Sequence, residues 1–258
     1  MRLEVRGLWY RYAARGHDVL RDTSFSLEPG SFCAVLGPNG SGKTTLLRLM
    51  AGLLPKQGCM RGHISFGDSA MPPPRMVAYV PGHLHTAFPI TVEEFVLQGR
   101  YAHNAPWAAA SAGDREATAE ALALVRLNAM ADVPLQHLSS GERQLCLIAR
   151  ALAQKPRWIL LDEATSNLDL HYQVAAFKVL QGANAQGTGI IVVSHDLNIP
   201  LEFCREALWL RHGELFARGT MKETLNDALL RKLYPAEELV VGTNPHTGCP
   251  KALYRPKT

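Results

Sequence analysis

Residues 37–44 read Gly-Pro-Asn-Gly-Ser-Gly-Lys-Thr, the G-x-x-x-x-G-K-[ST] pattern of a phosphate-cradling loop. The pattern constrains the fold because it operates only between the end of a parallel strand and the start of a helix. Both flanks are present. Phe32-Cys33-Ala34-Val35-Leu36 is a short apolar run suited to a sheet buried on both faces. Thr45 to Ala51 reads as a helix that Gly52 and Pro55 stop. Gly37, Gly40 and Gly42 let backbone N–H groups face phosphates without Cβ atoms in the way. The helix start adds unpaired N–H donors and the positive end of its macrodipole. Lys43 should reach the β- and γ-phosphates, and the Thr44 hydroxyl should ligate magnesium. Pro38, Asn39, Ser41 and Thr45 complete the predicted cradle. The ligand class is therefore a nucleoside triphosphate with Mg2+.

The remaining chain is searched for partners to that loop. At 258 residues it suits one large α/β domain, or a core with an inserted subdomain. A net charge of +4, scattered without a basic tract, is too small to argue nucleic-acid binding, and no nucleic-acid partner is expected. No apolar run approaches the ~18 residues of a membrane span, and the N-terminus lacks the apolar region of a signal peptide. Both features predict a cytosolic protein. Five dispersed cysteines without a C-x-x-C read as reduced thiols.

Arg2 to Tyr12 and Asp22 to Leu27 read as strands, and Gly62 to Phe66 as a segment that pairs near them. Met76 to Val80 is a short strand. Thr91 with Glu94 forms a capping box, and a helix is predicted from Asp114 to about Leu127. The α/β alternation then resumes, with a helix over Glu142 to Gln154, a strand at 158–161, a helix over Leu170 to Leu180 and a strand at 189–193. A hairpin turns at His212-Gly213. Lys222 to Tyr234 is predicted helical and the rest loose.

Two carboxylates, Asp162 and Glu163, end the apolar run Trp158-Ile159-Leu160-Leu161. Ligands of open parallel sheets sit at that edge. Asp162 is suited to hold magnesium, and Glu163 to polarise the water that attacks the γ-phosphate. Adjacent acids can also simply cap the next helix.

Leu138-Ser139-Ser140-Gly141-Glu142 resembles the Leu-Ser-Gly-Gly-Gln/Glu signature of the ATP-binding-cassette (ABC) ATPases, with Ser140 replacing the first glycine. A serine hydroxyl, a glycine N–H and a helix start make an anion site without lysine. They also make an ordinary helix cap, with Ser139 or Ser140 as the capping residue. The resemblance implies an α/β fold of P-loop NTPase (RecA-like) type, with an antiparallel β subdomain and an inserted α-helical subdomain. Residues 1–235 would be one ATPase domain, its core at 1–82 and 150–220, its helical part at 83–149, and a short helix and tail at 221–258.

The resemblance implies ATP sandwiched in a head-to-tail dimer, between one P-loop and the partner's Ser139, Ser140, Gly141 and Glu142. Ser166-Asn167-Leu168-Asp169 resembles the D-loop, with Asp169 near the dimer seam. Ser194-His195-Asp196 resembles the switch-histidine segment, so His195 would contact the γ-phosphate and hold Glu163. Tyr12 stands where the family stacks an aromatic ring on adenine, with Tyr10 as the fallback. Gly82 occupies the family's glutamine position after Ala78-Tyr79-Val80-Pro81; His83 or His85 would be substitutes. Phe88-Pro89, Thr91 to Glu94, Gly99-Arg100-Tyr101 and Asn167 to Leu170 look like importers of iron–siderophore, haem or cobalamin type. Such a subunit would dock transmembrane permease subunits on residues 83–135 and sit on the cytoplasmic face of the membrane, touching it only through them. Export, or a soluble role outside transport, are the alternatives.

Overall fold

The computed structural model describes all residues except 14–15, 56–58, 70–73, 84–88, 106–107, 167, 195, 237 and 256–258. In chain order the elements are β1 (Leu3–Tyr10), β2 (Leu20–Leu27), β3 (Phe32–Leu36), α1 (Lys43–Met50), β4 (Met60–Phe66), β5 (Val77–Pro81), α2 (Val92–Leu97), α3 (Ala112–Leu124), α4 (Ser140–Ala153), β6 (Trp158–Asp162), α5 (Leu170–Ala185), β7 (Gly189–Val193), α6 (Asn198–Phe203), β8 (Glu206–Arg211), β9 (Glu214–Thr220), α7 (Met221–Thr224), α8 (Asp227–Leu233), β10 (Leu239–Thr243) and β11 (Pro250–Tyr254). They form two compact units, Met1–Met71 with Ile191–Thr258, and Pro72–Ile190. Among the described residues no helix is long and apolar enough to cross a membrane.

In the first unit, β1 pairs antiparallel with both β2 and β4. Its buried residues are Leu3, Val5, Leu8 and Tyr10, so the alternation skips one position. Register shifts between Val5 and Leu8, with Gly7 at φ 52°, supply the extra residue. A bulge there keeps Leu8 and Tyr10 on the core face; without it they would point to solvent. All five residues of β3 are buried, as its unbroken apolar run predicts. β3 runs parallel to β8, and β8 turns antiparallel into β9. His212 and Gly213 both have positive φ there, the backbone that a tight hairpin needs.

The C-terminal region differs from the reading of one helix and a loose tail. Thr220 caps α7 and Asn226 caps α8, which splits the helix in two. Residues 239–254 form the hairpin β10–β11, with Leu239 opposite Tyr254 and Thr243 opposite Pro250. Distant side chains hold it. Asp227 accepts the Val241 N–H at 2.6 Å, Asn198 accepts the Ala252 N–H at 3.1 Å, and Glu202 accepts the Thr247 hydroxyl at 2.7 Å.

In the second unit β5 runs parallel to β6, pairing Val77 with Trp158 and Pro81 with Asp162. The Thr91–Glu94 capping box starts α2 as expected. α3 begins earlier than expected, because Ser111 forms a second box with Asp114. α2, α3 and α4 form a helical cluster. The Arg100 guanidinium pairs with the Asp114 carboxylate at 2.9 Å and donates to the Ala153 carbonyl at 2.8 Å. A Cβ at Gly99 would lie 2.2 Å from the Arg150 carbonyl oxygen, so only glycine allows this approach of chain to α4.

The five cysteines are unpaired. Burial pushes the thiols of Cys33 and Cys204 upward and that of Cys146 up to about 12. Buried protonated thiols are unreactive, so packing suffices to explain these three.

Candidate functional site

The first unit carries the glycine-rich loop between β3 and α1, as the motif requires. Gly37 has φ 140°, and a Cβ there would meet the Leu210 carbonyl oxygen at 2.0 Å. Gly42 is the N-cap of α1 in left-handed conformation, and a Cβ there would meet the Val19 carbonyl oxygen at 2.9 Å. Both positions therefore admit glycine alone, for backbone reasons independent of any ligand. Gly40 also has positive φ, at 77°.

Lys43 opens α1 and is 5% exposed. Its Nζ donates to the carbonyls of Gly37 at 2.8 Å and Pro38 at 2.9 Å, which folds the ammonium back along the loop. The Ser41 N–H donates to the Pro38 carbonyl, while the buried Ser41 Oγ has no partner among the described residues. Asn39 is exposed, Thr44 half-buried and Thr45 buried. The Thr45 Oγ1 lies 3.2 Å from the Tyr12 hydroxyl. Tyr12 is half-buried beside α1, whereas Tyr10 is 1% exposed in the strand core, its ring edge-on to Tyr12 at 5.1 Å. Of the two candidate tyrosines, Tyr12 alone offers a ring face with access to solvent.

The second unit carries the carboxylates and the signature segment. Asp162 ends β6 and is 5% exposed. Tyr79 of β5 donates its hydroxyl to Asp162 Oδ2 at 2.6 Å, a short charge-assisted bond. Glu163 has φ 56°, left-handed backbone that costs a non-glycine residue roughly 1–2 kcal/mol. Strain of this kind concentrates at functional sites. The turn is closed by the Ser166 N–H donating to the Glu163 carbonyl at 3.2 Å. The buried Ser166 Oγ has no partner among the described residues.

Ser139, not Ser140, caps α4. Its Oγ accepts the Glu142 N–H at 3.3 Å. Glu142 Oε2 accepts both the Ser139 hydroxyl and the Ser139 N–H at 2.7 Å, and these bonds hold its carboxyl below the usual range. The Ser139 proton is thus committed to Glu142 and must turn away before it can serve a phosphate. Gly141 lies against Tyr172 of α5; a Cβ there would sit 2.5 Å from that ring. Asp169 caps α5 through the Tyr172 N–H at 3.0 Å. Tyr172 therefore joins Gly141 to Asp169. Gln144 of α4 donates to the Pro81 carbonyl at 3.2 Å, one residue before Gly82.

A Cβ on Gly82 would lie 3.0 Å from the Asp162 carbonyl oxygen and 3.3 Å from that of Glu163. We expect Gly82→Gln to cost about 1 kcal/mol through this crowding, lowering the melting temperature by roughly 2–4 °C. An unchanged melting temperature would show that the two carbonyls yield freely.

His195, Asn167, His85 and Phe88 lie outside the described residues. Sequence reading singled out neither Tyr79 nor Tyr172 as a site residue. Their contacts are to Asp162, 83 residues away, and to Gly141 on another helix, so no local spacing marks them.

The residues present fit a magnesium-bound triphosphate. The loop offers an ammonium, an orphaned hydroxyl and first-turn N–H groups, and its glycines leave no Cβ in the cradle. Thr44 in the first unit and Asp162 in the second each carry a hard oxygen donor of the kind magnesium prefers.

The sequence profile of the family described as ABC transporter matches residues 20–166. The chain is 35% identical over 241 residues to the hemin import ATP-binding protein HmuV of Roseobacter denitrificans, covering 89% of each. It is 33% identical over 252 residues to the cobalamin import ATP-binding protein BtuD of Halobacterium salinarum, covering 96% of this chain and 62% of that protein. Among solved structures, an ABC transporter assigned to the metal-chelate type, in an inward-facing conformation, superposes with a TM-score of 0.84 at 29% identity, covering 98% of this chain and 96% of the other.

Proposed function

Because this chain belongs to the ABC transporter family and is an ATPase of that family, we propose that it powers an importer of metal-chelate, haem or cobalamin type. The carrying observation for the chemistry is Lys43, buried within a loop whose Gly37 and Gly42 admit no side chain. For the cargo class it is the likeness to hemin and cobalamin import proteins, over 89% and 96% of this chain.

On this reading Lys43 leaves the carbonyls of Gly37 and Pro38 for the triphosphate. It exchanges two neutral acceptors for anionic ones, which adds ion–ion attraction to bonds that its own charge already strengthens. Magnesium, when bound, supplies charge neutralisation at the phosphates. Thr44 and Asp162 are the residues that hold it, with Tyr79 fixing one oxygen of Asp162. Glu163 polarises the attacking water, assisted by His195, and Tyr12 stacks on the base. Ser139, Ser140, Gly141 and Glu142, with Asp169, face the nucleotide of a second copy. Closure of that dimer pulls on permease subunits docked at residues 83–135, and hydrolysis resets it. The protein then works at the cytoplasmic face of the membrane. Gly82 leaves the usual glutamine contact to a neighbour, so Gly82→Gln should raise ATP turnover or tighten its coupling to transport wherever the carbonyls of 162 and 163 give way.

Affinity purification of the full chain from detergent-solubilised membranes of its own host, followed by mass spectrometry, tests the transport part. We expect one polytopic permease in stoichiometric amount. Recovery with ribosomal or other soluble partners instead would favour a role outside transport.

A further inference from the structure

Asp162 ends β6, and its register partner on the neighbouring parallel strand β5 is Pro81. Proline has no N–H and no polar side chain, so the position opposite Asp162 offers its carboxylate no donor. Tyr79 stands two residues earlier in β5 and therefore shares a face of the sheet with Pro81. The offset is roughly 7 Å along the strand, which a tyrosine side chain spans. Its hydroxyl donates to Asp162 Oδ2 at 2.6 Å. Tyr79 is half-buried and Asp162 is 5% exposed, so water screens this bond only in part.

The last torsion of an aspartate side chain is broad, so an unrestrained carboxylate swings about its Cβ–Cγ axis. A donor held on the adjacent strand halts that swing and gives the carboxylate plane one orientation. Cations differ in how much this matters to them. Magnesium demands near-octahedral geometry, with oxygens at about 2.0–2.1 Å. Calcium accepts oxygens at about 2.3–2.6 Å in flexible arrangements. An oriented carboxylate therefore favours magnesium, whereas a swinging one still serves calcium.

We propose that Tyr79 is a positioning residue that sets the metal preference of the site: by holding Asp162 in one orientation, it favours magnesium over calcium. It acts through Asp162 and touches neither the metal nor the nucleotide. This inference rests on the reading of Asp162 as a magnesium-holding residue.

Tyr79→Phe keeps the ring in β5 and removes only the donor. The dissociation constant of a nonhydrolysable fluorescent ATP analogue is measured on the full chain in excess Mg2+, in excess Ca2+ and in EDTA. The ratio of the EDTA value to each metal value gives that ion's share of nucleotide binding. Losing the hydrogen-bond partner of a metal ligand typically costs about 10- to 100-fold in metal affinity. In Tyr79→Phe the magnesium ratio should fall roughly tenfold, with the calcium ratio within about twofold of wild type. A tyrosine that only packs would lower the melting temperature and leave both ratios at their wild-type values, and that result overturns the proposal. Equal falls in the two ratios overturn it as well, because they show no selection between the ions. Asp162→Asn separates the two levels of the inference. If it keeps the wild-type magnesium ratio, Asp162 holds no metal and the underlying reading fails, taking the proposal with it. If it loses that ratio while Tyr79→Phe retains it, the part given to Tyr79 alone is wrong.

Discussion

Glu163→Gln should bind ATP with near wild-type affinity and lose turnover by about 10²–10⁴-fold, the range for removal of a general base. The amide keeps the size and reach of the carboxylate but cannot take a proton from water. The left-handed backbone at 163 is strained for any side chain, glutamine included, so the folded state should lose no further stability. The turn closed by Ser166 depends on the Glu163 carbonyl, which the substitution leaves intact. With binding preserved and cleavage blocked, ATP should hold the variant as a stable dimer on gel filtration. Steady-state hydrolysis and elution volume read the two halves of this expectation. Wild-type turnover would remove Glu163 from its assigned place and turn attention to Asp162 or Asp169.

Lys43→Ala should give the opposite pattern, with binding lost at the outset. Removing one member of a buried, hydrogen-bonded charge pair costs about 2–5 kcal/mol, a factor of roughly 30 to several thousand in affinity. In the free protein the substitution also strips a donor from the carbonyls of Gly37 and Pro38. The same change removes the desolvation cost of a nearly buried ammonium, which opposes that loss. The melting temperature should therefore move far less than nucleotide affinity. Calorimetric titration with ATP checks the binding arm. Unchanged affinity would count heavily against the loop as the triphosphate cradle. Together the two variants separate binding from chemistry: Glu163→Gln forms a stable ATP complex that does not turn over, and Lys43→Ala forms none.

Much of the architecture was legible from short-range spacing. Four residues from Thr91 to Glu94 contain both halves of a capping box, and the box is present. Five unbroken apolar residues at 32–36 and at 189–193 announce strands covered on both faces, and both are buried throughout. The glycines at 37, 40 and 42 announce a turn free of Cβ atoms, and all three take positive φ there. In each case the interacting atoms lie within one turn or one strand, so sequence distance and spatial distance agree.

Elsewhere that agreement fails. Ser139 rather than Ser140 became the cap because Glu142 stands three residues after the first and two after the second, a choice legible in principle from the same rule that fixed Thr91. The hairpin at 239–254 was missed because its anchors come from positions 198, 202 and 227. Tyr12 was preferred over Tyr10 on family likeness alone, and burial then separated them.

Local chemistry, where the groups that bond are a few residues apart, was thus legible along the chain: the glycine-rich turn between strand and helix, the Thr91 cap and the buried strands. Folding in three dimensions chose the partners brought from afar. It set Tyr79 on Asp162 and Tyr172 against Gly141, and it brought the carbonyls of Asp162 and Glu163 close to Gly82. A hydrogen bond reaches about 3 Å, so which residues share one depends on the path of the backbone once their separation exceeds a turn.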